Sequence, residues 1–307
     1  MSTEEQKVKY QKLLSLLKEM GSVVVAYSGG VDSAFLAKAA NEALGPDFLA
    51  VTGISETYTE DDLKEAREFA KAQGFRHQEI NTKELANREF AKNPENRCYY
   101  CKSELFLKLR KIAASEGIKY VADGTNTDDI AYDIRPGLQA ASECGVRHPI
   151  AEAGLCKQDL RDLAHEMALS FWNKPAAACL SSRIPYGQNI TKDKLEKVAR
   201  AESFLRSLGF SQVRVRHHDT IARIELVPEE LSKAIEEEVR EKIFSEFKDI
   251  GYTYVTLDLK GYRMGSMNEA NRENGQEEGF KPAGRDPGFE HSGKAPGWFF
   301  YTPDKAG

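Results

Sequence analysis

The sequence predicts an α/β protein: a doubly wound parallel sheet, then a smaller C-terminal α+β unit, then a polar tail. Three observations predict it. Short β-branched runs alternate with helical-period segments over the first 170 residues. The first run, Val23-Val24-Val25-Ala26, is apolar on both faces, as a central strand covered by helices on each side must be. Beyond residue 190 the order changes to α-β-β-α-β.

Taken in order, Val8, Leu13, Leu14, Leu17 and Met20 recur at helical spacing, so residues 3–20 form an amphipathic helix. Strand 22–27, a glycine-rich turn, helix 31–44 and an apolar strand at 48–52 follow. Helix 60–73, strand 76–80, helices 84–92 and 101–116 and strand 119–122 continue the alternation, and helix 160–167 closes a first domain over residues 1–170. Residues 171–190, rich in Pro, Ala, Ser and Gly without a period, read as a functional loop. Helix 191–208, strands 212–217 and 221–227 joined at His218-Asp219-Thr220, a helix carrying Leu231, Ile235, Val239, Ile243 and Phe247, and strand 254–259 make a small domain over 191–263. Residues 264–307, polar and rich in Gly, Pro, Asn and Glu, read as a flexible tail.

A chain of 307 residues with 41% hydrophobic content can bury a real core. No apolar run approaches the roughly 20 residues of a membrane span, and an odd count of five cysteines suits a reducing compartment, so a cytoplasmic protein with no membrane partner is expected. A net charge of -5 gives no global attraction to nucleic acid.

The strand 22–27 runs into Ser28-Gly29-Gly30-Val31-Asp32-Ser33 and then a helix, which makes an anion site of backbone N–H groups at a helix N-terminus. Adjacent glycines let the main chain curl round a phosphate, and Ser28 and Ser33 add hydroxyls. Asp32 in such a nest demands a cation, and a Mg²⁺-linked role is expected. The rival reading is an ordinary glycine-containing βα turn. No Gly-Lys-Ser/Thr follows the strand, so the Walker A pattern is absent.

This hexapeptide after an apolar strand resembles the PP-loop ATP pyrophosphatases, whose HUP-like fold serves NAD, GMP and asparagine synthetases and several tRNA thiolases. Further stretches narrow the resemblance: Asp133-Ile134-Arg135-Pro136-Gly137-Leu138, Trp172-Asn173-Lys174-Pro175, Cys179-Leu180-Ser181-Ser182-Arg183-Ile184-Pro185-Tyr186-Gly187, Arg214-Val215-Arg216-His217 and Ile221-Ala222-Arg223-Ile224-Glu225-Leu226. From about residue 10 to 263 the chain is similar to the ATP-dependent sacrificial sulfur transferases of the LarE family. The resemblance implies ATP cleavage between the α and β phosphates, adenylation of a carboxylate of a pyridinium biscarboxylate mononucleotide, and sulfur insertion on the way to the nickel-pincer nucleotide cofactor. It also implies a homo-oligomer.

Cys98-Tyr99-Tyr100-Cys101 places a CxxC at a predicted helix start, where the dipole favours thiolate. Cys179 lies in the loop. The resemblance implies that single-cysteine members sacrifice a loop cysteine sulfur and are left with dehydroalanine. The added CxxC opens three readings: a 4Fe-4S cluster on Cys98, Cys101 and Cys179 that binds exogenous sulfide, Cys179 as sacrificial donor, or a structural zinc or disulfide. Cys144 and Cys156 read as packing residues.

Asp123, at a strand end in Asp123-Gly124-Thr125-Asn126, contacts ribose or metal, or caps a turn. Ser182 and Arg183 offer donors to the transferring phosphate or the substrate carboxylate, with Arg183 otherwise a surface residue. Arg214, Arg216 and Arg223 alternate along two strands, either facing an anionic nucleotide substrate or decorating a solvent face. Glu202 orients one of these arginines. Lys102, Tyr99 and Tyr100 line a sulfur-transfer cavity or simply pack. A tRNA thiolase, an NAD- or GMP-synthetase-like amidating enzyme and a non-enzymatic nucleotide sensor are the competing functions. The first lacks a visible basic RNA-binding face and the second an ammonia source.

Overall fold

The structure, a computed structural model, describes residues 2–131, 136–174, 178–263 and 266. Apart from Ser266, the tail expected over 264–307 lies outside the described residues, as do Asp133-Ile134-Arg135 and Pro175 of the motifs above.

Four parallel strands in the order β3-β2-β1-β4 form the main sheet. They are β1 (Val23–Ala26), β2 (Phe48–Ile54), β3 (His77–Asn81) and β4 (Tyr120–Ala122). Val23 is in register with both Phe48 and Tyr120. The chain steps from β1 outward to β2 and β3, then returns to the other side of β1 as β4. The switch point therefore lies beside the carboxyl end of β1, where open α/β sheets bind ligands.

The alternation of side chains along β1 sorts the two cores. Val23 and Val25 face a cluster with Phe48 of β2 and with Tyr10, Leu17, Phe35 and Leu160, supplied by α1 (Glu4–Met20), α2 (Val31–Leu44) and α9 (Lys157–Glu166). Val24 and Ala26 face Leu49, Val51, Phe106, Leu109 and Val121, covered by α5 (Arg97–Ser115) and α7 (Pro136–Glu143). α3 (Glu60–Gln73) is N-capped by Thr59, whose side chain accepts from Asp62 N–H at 3.1 Å.

A second sheet in the order β5-β6-β7 holds β5 (Val213–His218), β6 (Ile221–Leu226) and β7 (Tyr254–Leu257). β5 and β6 are antiparallel across a two-residue turn in which Asp219 takes φ 52°, while β7 runs parallel to β6. α10 (Lys192–Ser207) and α12 (Glu237–Ile250) cover it around Phe210, Val215, Ile224 and Phe247. No helix among the described residues is long and apolar enough to cross a membrane.

The helix expected over 84–92 is instead a 3-10 turn, Glu84–Ala86, followed by α4 (Arg88–Ala91). Asn87 breaks it by capping the second piece, its side chain accepting from Glu89 N–H at 2.9 Å. The helix carrying Leu231 to Phe247 divides into α11 (Leu231–Ile235) and α12 at Glu236, whose ψ of 136° is extended. The short helices α6 (Thr127–Ala131) and α8 (Pro149–Glu152), and α7, escaped the periodicity reading because they span too few turns to show a period.

Candidate active site

The Ser28–Ser33 loop is wired internally. Ser28 N–H donates to Ser33 Oγ at 3.1 Å, the two hydroxyls lie 3.0 Å apart, and Ser33 Oγ donates to Gly30 C=O at 3.2 Å. Gly29 has φ 71°, and a Cβ there would stand 2.8 Å from Ala66 Cβ, so only glycine lets α3 close on the loop. A Cβ on Gly124 would meet Ser33 N at 2.7 Å, which seats the segment after β4 directly on the start of α2. Gly30 and Val31 open that helix.

Asp32 has a cation beside it. Lys157 Nζ donates to its Oδ2 at 2.5 Å, and Asn126 Nδ2 to its Oδ1 at 3.4 Å. Neither partner was legible in the motif. Asp123 is buried, with His148 Nδ1 at 2.7 Å and Thr125 N–H at 3.1 Å on the same oxygen. Burial works to raise its carboxyl, but the His148 bond and the charge of Lys102 outweigh it and hold Asp123 below the usual range.

A cleft of about 540 Å³ runs from Ser28 past Tyr58, Asp62 and Lys174 to Cys179 and on to Arg183, Glu202 and Arg214. It joins the carboxyl end of β1 to the N-terminal end of β5. Lys174, one wall, reaches Glu65 at 2.6 Å and Gly29 C=O at 3.4 Å. Tyr58, which sequence reasoning missed, lies in the cleft beside Ser28, and burial pushes its phenol up.

Cys179 is exposed and precedes a 3-10 turn, Leu180–Arg183. Leu180 N–H donates to Thr57 C=O at 3.0 Å, and Arg183 gathers the rest of the loop. Its guanidinium grips Glu202 in bidentate fashion, Nε to Oε1 at 2.8 Å and Nη2 to Oε2 at 2.9 Å. Its Nη1 donates to the carbonyls of Ala178 and Cys179 and to Ser182 Oγ at 2.5, 3.0 and 3.0 Å. Arg183 is thus no surface residue, and its donors go to Glu202 on α10 and to its own loop. Glu202 also accepts Val215 N–H at 3.0 Å, which ties that loop to β5. Burial opposes its charge, yet Arg183 keeps the Glu202 carboxyl low.

The arginines of β5 are not solvent decoration. Arg214 is buried at the cleft, its guanidinium 5.3 Å from the Tyr262 ring centroid, and burial together with Arg183 pushes its pKa down. Arg216 is buried too, but its bonds run to Glu225 at 2.8 Å, Ser266 at 2.9 Å and the Ser182 carbonyl at 3.2 Å. It supports the loop from behind. Arg223 pairs with Asp258 at 2.9 Å and Glu225 at 3.2 Å.

None of the five cysteines is in a disulfide. α5 begins at Arg97, not at 101, so Cys98 sits in its first turn and Cys101 one turn deeper. The expected thiolate bias at Cys101 is overturned: burial raises its pKa well above the ordinary thiol value, with Glu84, Cys179 and Cys98 adding to the effect. The helix dipole fades beyond the first turn and does not offset this. Cys101 Sγ lies 3.7 Å from Glu84 Oε1, while Glu84 Oε2 is buried with no hydrogen-bond partner. Among the described residues, no three His, Cys, Asp or Glu side chains are grouped to hold a metal ion. Cys144 packs against the main core as expected, whereas Cys156 caps α9 in a box with Asp159. Tyr99 bonds Glu143 at 2.7 Å, which with burial lifts its phenol to about 12, and Tyr100 packs near Leu180.

A parallel sheet whose first strand empties into this serine- and glycine-lined nest, with a cleft beside it, defines an ATP-using enzyme of the PP-loop class. The family model for NAD synthase matches residues 9–111. The chain is 40% identical over 258 residues to the pyridinium-3,5-bisthiocarboxylic acid mononucleotide synthase of Lactiplantibacillus plantarum, covering 84% of this chain and 92% of that one. It is 44% identical over 260 residues to an uncharacterized Synechocystis protein, covering 85% and 97%, and 32% identical over 257 residues to one of Methanocaldococcus jannaschii, covering 82% and 96%. The chain belongs to the LarE family of PP-loop proteins.

Proposed function

We propose that this enzyme adenylates a carboxylate of a pyridinium biscarboxylate mononucleotide with ATP and replaces the activated oxygen with sulfur, in the synthesis of the nickel-pincer nucleotide cofactor. The observation that carries the reading is the single cleft from Ser28 to Arg214 with Cys179 on its wall, because adenylation and sulfur transfer need the nucleotide nest and a thiol within one space. The kinship with the Lactiplantibacillus synthase supports the substrate class.

In this reading a substrate carboxylate oxygen attacks the α phosphorus of ATP, and pyrophosphate leaves into the Ser28–Ser33 nest, with Lys157 balancing Asp32. Mg²⁺ arriving on the phosphates suits a site with one facing carboxylate, since this ion is commonly held by one or two carboxylates plus substrate phosphates. Arg214 receives an anionic group of the substrate. Sulfur then attacks the acyl carbon and AMP departs with the activated oxygen; exogenous sulfide gives the thiocarboxylate directly, whereas Cys179 gives a thioester whose Cβ–S bond must then break with loss of the α proton, leaving dehydroalanine at 179. Arg183 and Glu202 hold the loop that presents Cys179, and Asp123 supports the nest through Gly124.

Cys98, Cys101 and Cys179 are thiols of the kind that would hold a 4Fe-4S group, although among the described residues no three such side chains stand grouped as metal ligands. Such a group would supply an open iron for exogenous sulfide. The enzyme is further proposed to act in the cytoplasm as a homo-oligomer. Anaerobic purification with iron and sulfide analysis, on wild type and on C98A, C101A and C179A, tests the sulfur source. Iron lost in each variant supports the cluster; iron-free protein that loses sulfur mass at Cys179 after ATP and substrate supports sacrifice. Absence of pyrophosphate release with ATP and substrate would overturn the function itself.

A further inference from the structure

The three thiols lie on two separate stretches, the start of α5 and the loop after Ala178, and their spacing depends on whatever joins those stretches. Asn93 sits at the centre of those links. Asn93 is fully buried, with φ 56°, a left-handed backbone that asparagine tolerates and most residues do not. Its side-chain amide donates to the carbonyls of Ile184 at 3.1 Å and Pro185 at 2.8 Å, immediately after Arg183. Its side-chain oxygen accepts from Arg97 Nη1 at 3.0 Å, one residue before Cys98. Its backbone carbonyl accepts Gly187 N–H at 3.0 Å, and its own N–H donates to Phe90 C=O at 2.9 Å. Arg97 in turn lies 4.6 Å over the Tyr186 ring, and Ile190 N–H reaches Ala91 C=O at 2.8 Å.

We infer that Asn93 is a positioning residue for sulfur transfer, a clasp that sets the distance from Cys98 and Cys101 to Cys179; this rests on the function proposed above. The loop carrying Cys179 is thereby held at both ends of its 3-10 turn. Arg183 and Glu202 anchor it to α10 and β5, and Asn93 and Arg97 anchor it to α5. Every polar atom of the Asn93 amide is used between these two stretches and none faces the cleft, which is the pattern of a spacer rather than of a substrate contact.

The test uses the full reduced chain and the variant N93G, since glycine accepts the left-handed backbone and isolates the loss of the amide from backbone strain. Dibromobimane, which bridges two nearby thiols, is applied and the bridges are mapped by peptide mass spectrometry, alongside ATP-dependent pyrophosphate release and single-turnover sulfur transfer. The expected result is bridging of Cys179 to the CxxC in wild type, reduced about tenfold or more in N93G together with sulfur transfer, while the KM for ATP holds. R97M, which removes the other half of the clasp, is expected to move the same readouts. Wild type without that bridge, equal bridging in both variants, or an ATP KM that rises in parallel with the lost transfer overturns the inference. Bridging that depends on Asn93 in a chain that transfers no sulfur supports the clasp and sinks the function.

Discussion

Replacing Glu202 by alanine is the sharpest test of how the cysteine loop is held. Arg183 is 3% exposed and Glu202 1%, so the substitution leaves a buried guanidinium without its bidentate partner and Val215 N–H without its acceptor. Removing one partner of a buried pair costs about 3–5 kcal/mol, because the remaining charge is desolvated and uncompensated. The sign with pH follows from the depressed Glu202 pKa: its contribution is fully present above the ordinary carboxylate value of 4.5 and is lost as pH falls through the lower folded value. Urea unfolding followed by circular dichroism at neutral pH should show the loss as a lower midpoint at unchanged slope. The double variant R183M/E202L should recover most of the stability, since apolar replacements of similar volume commonly match a buried pair. It should not recover sulfur transfer, because the bonds from Arg183 to the Ala178 and Cys179 carbonyls are gone. A loss below about 1 kcal/mol in E202A would mean a solvent-screened pair and would refute the reasoning.

Three other outcomes are expected. G124A drives a Cβ to 2.7 Å from Ser33 N and should cost about 1–3 kcal/mol while raising the KM for ATP, measured by pyrophosphate release; an unchanged KM would show that the nest tolerates displacement. K157M leaves Asp32 facing the phosphates without its cation and should weaken ATP binding about tenfold by calorimetry, an effect of roughly 1.4 kcal/mol. Burial, with Lys194 adding, pushes His217 down to about 4, so the unfolded chain binds a proton the native one refuses as pH falls below 6.5. Stability should drop by about 2 kcal/mol between pH 7 and pH 5 on this account, and H217Q should flatten that slope in urea titrations.

What the sequence made legible was contiguous. The nest of Ser28 to Ser33 carries its glycines, hydroxyls and flanking strand within one short run, and the α2 bounds expected from it, 31–44, match the structure. Its partners were hidden because they are remote: Lys157 lies 125 positions and Asn126 94 positions from Asp32. The same distance hid Tyr58 and Asn93, which have no pattern of their own and meet their partners only when α5, the 3-10 turn and β1 converge. Arg183 was expected to meet substrate because a guanidinium suits phosphate and carboxylate alike. Glu202 was expected to orient an arginine, but the sequence did not reveal that the one it grips is Arg183, nineteen positions back, whose fork it already occupies. The dipole argument for Cys101 failed for a related reason. A helix start fixes the sign of the field, but burial beside Glu84 fixes the solvation, and solvation wins.

The division of labour among the arginines follows from the same competition. β5 points Arg214 and Arg216 to one side, two residues apart, and both are buried, so each needs a nearby anion or carbonyl. Arg216 finds Glu225 and the Ser182 carbonyl within the protein, and its charge is compensated before any ligand arrives. Arg214 sits at the cleft, where Arg183 is a like charge that depresses it and Glu202 is shared with Arg183. Arg214 also donates to the Val213 carbonyl at 2.8 Å, and an anionic group of the proposed substrate would add to that compensation. The nest around Asp32 follows a different rule, since Lys157 supplies its counter-charge from the protein. The two ends of the cleft thus differ in how charge is balanced, a carboxylate with its own lysine at the nest and two buried guanidiniums sharing Glu202 at the other, and the proposed reaction assigns the first to the polyphosphate and the second to the carboxylate.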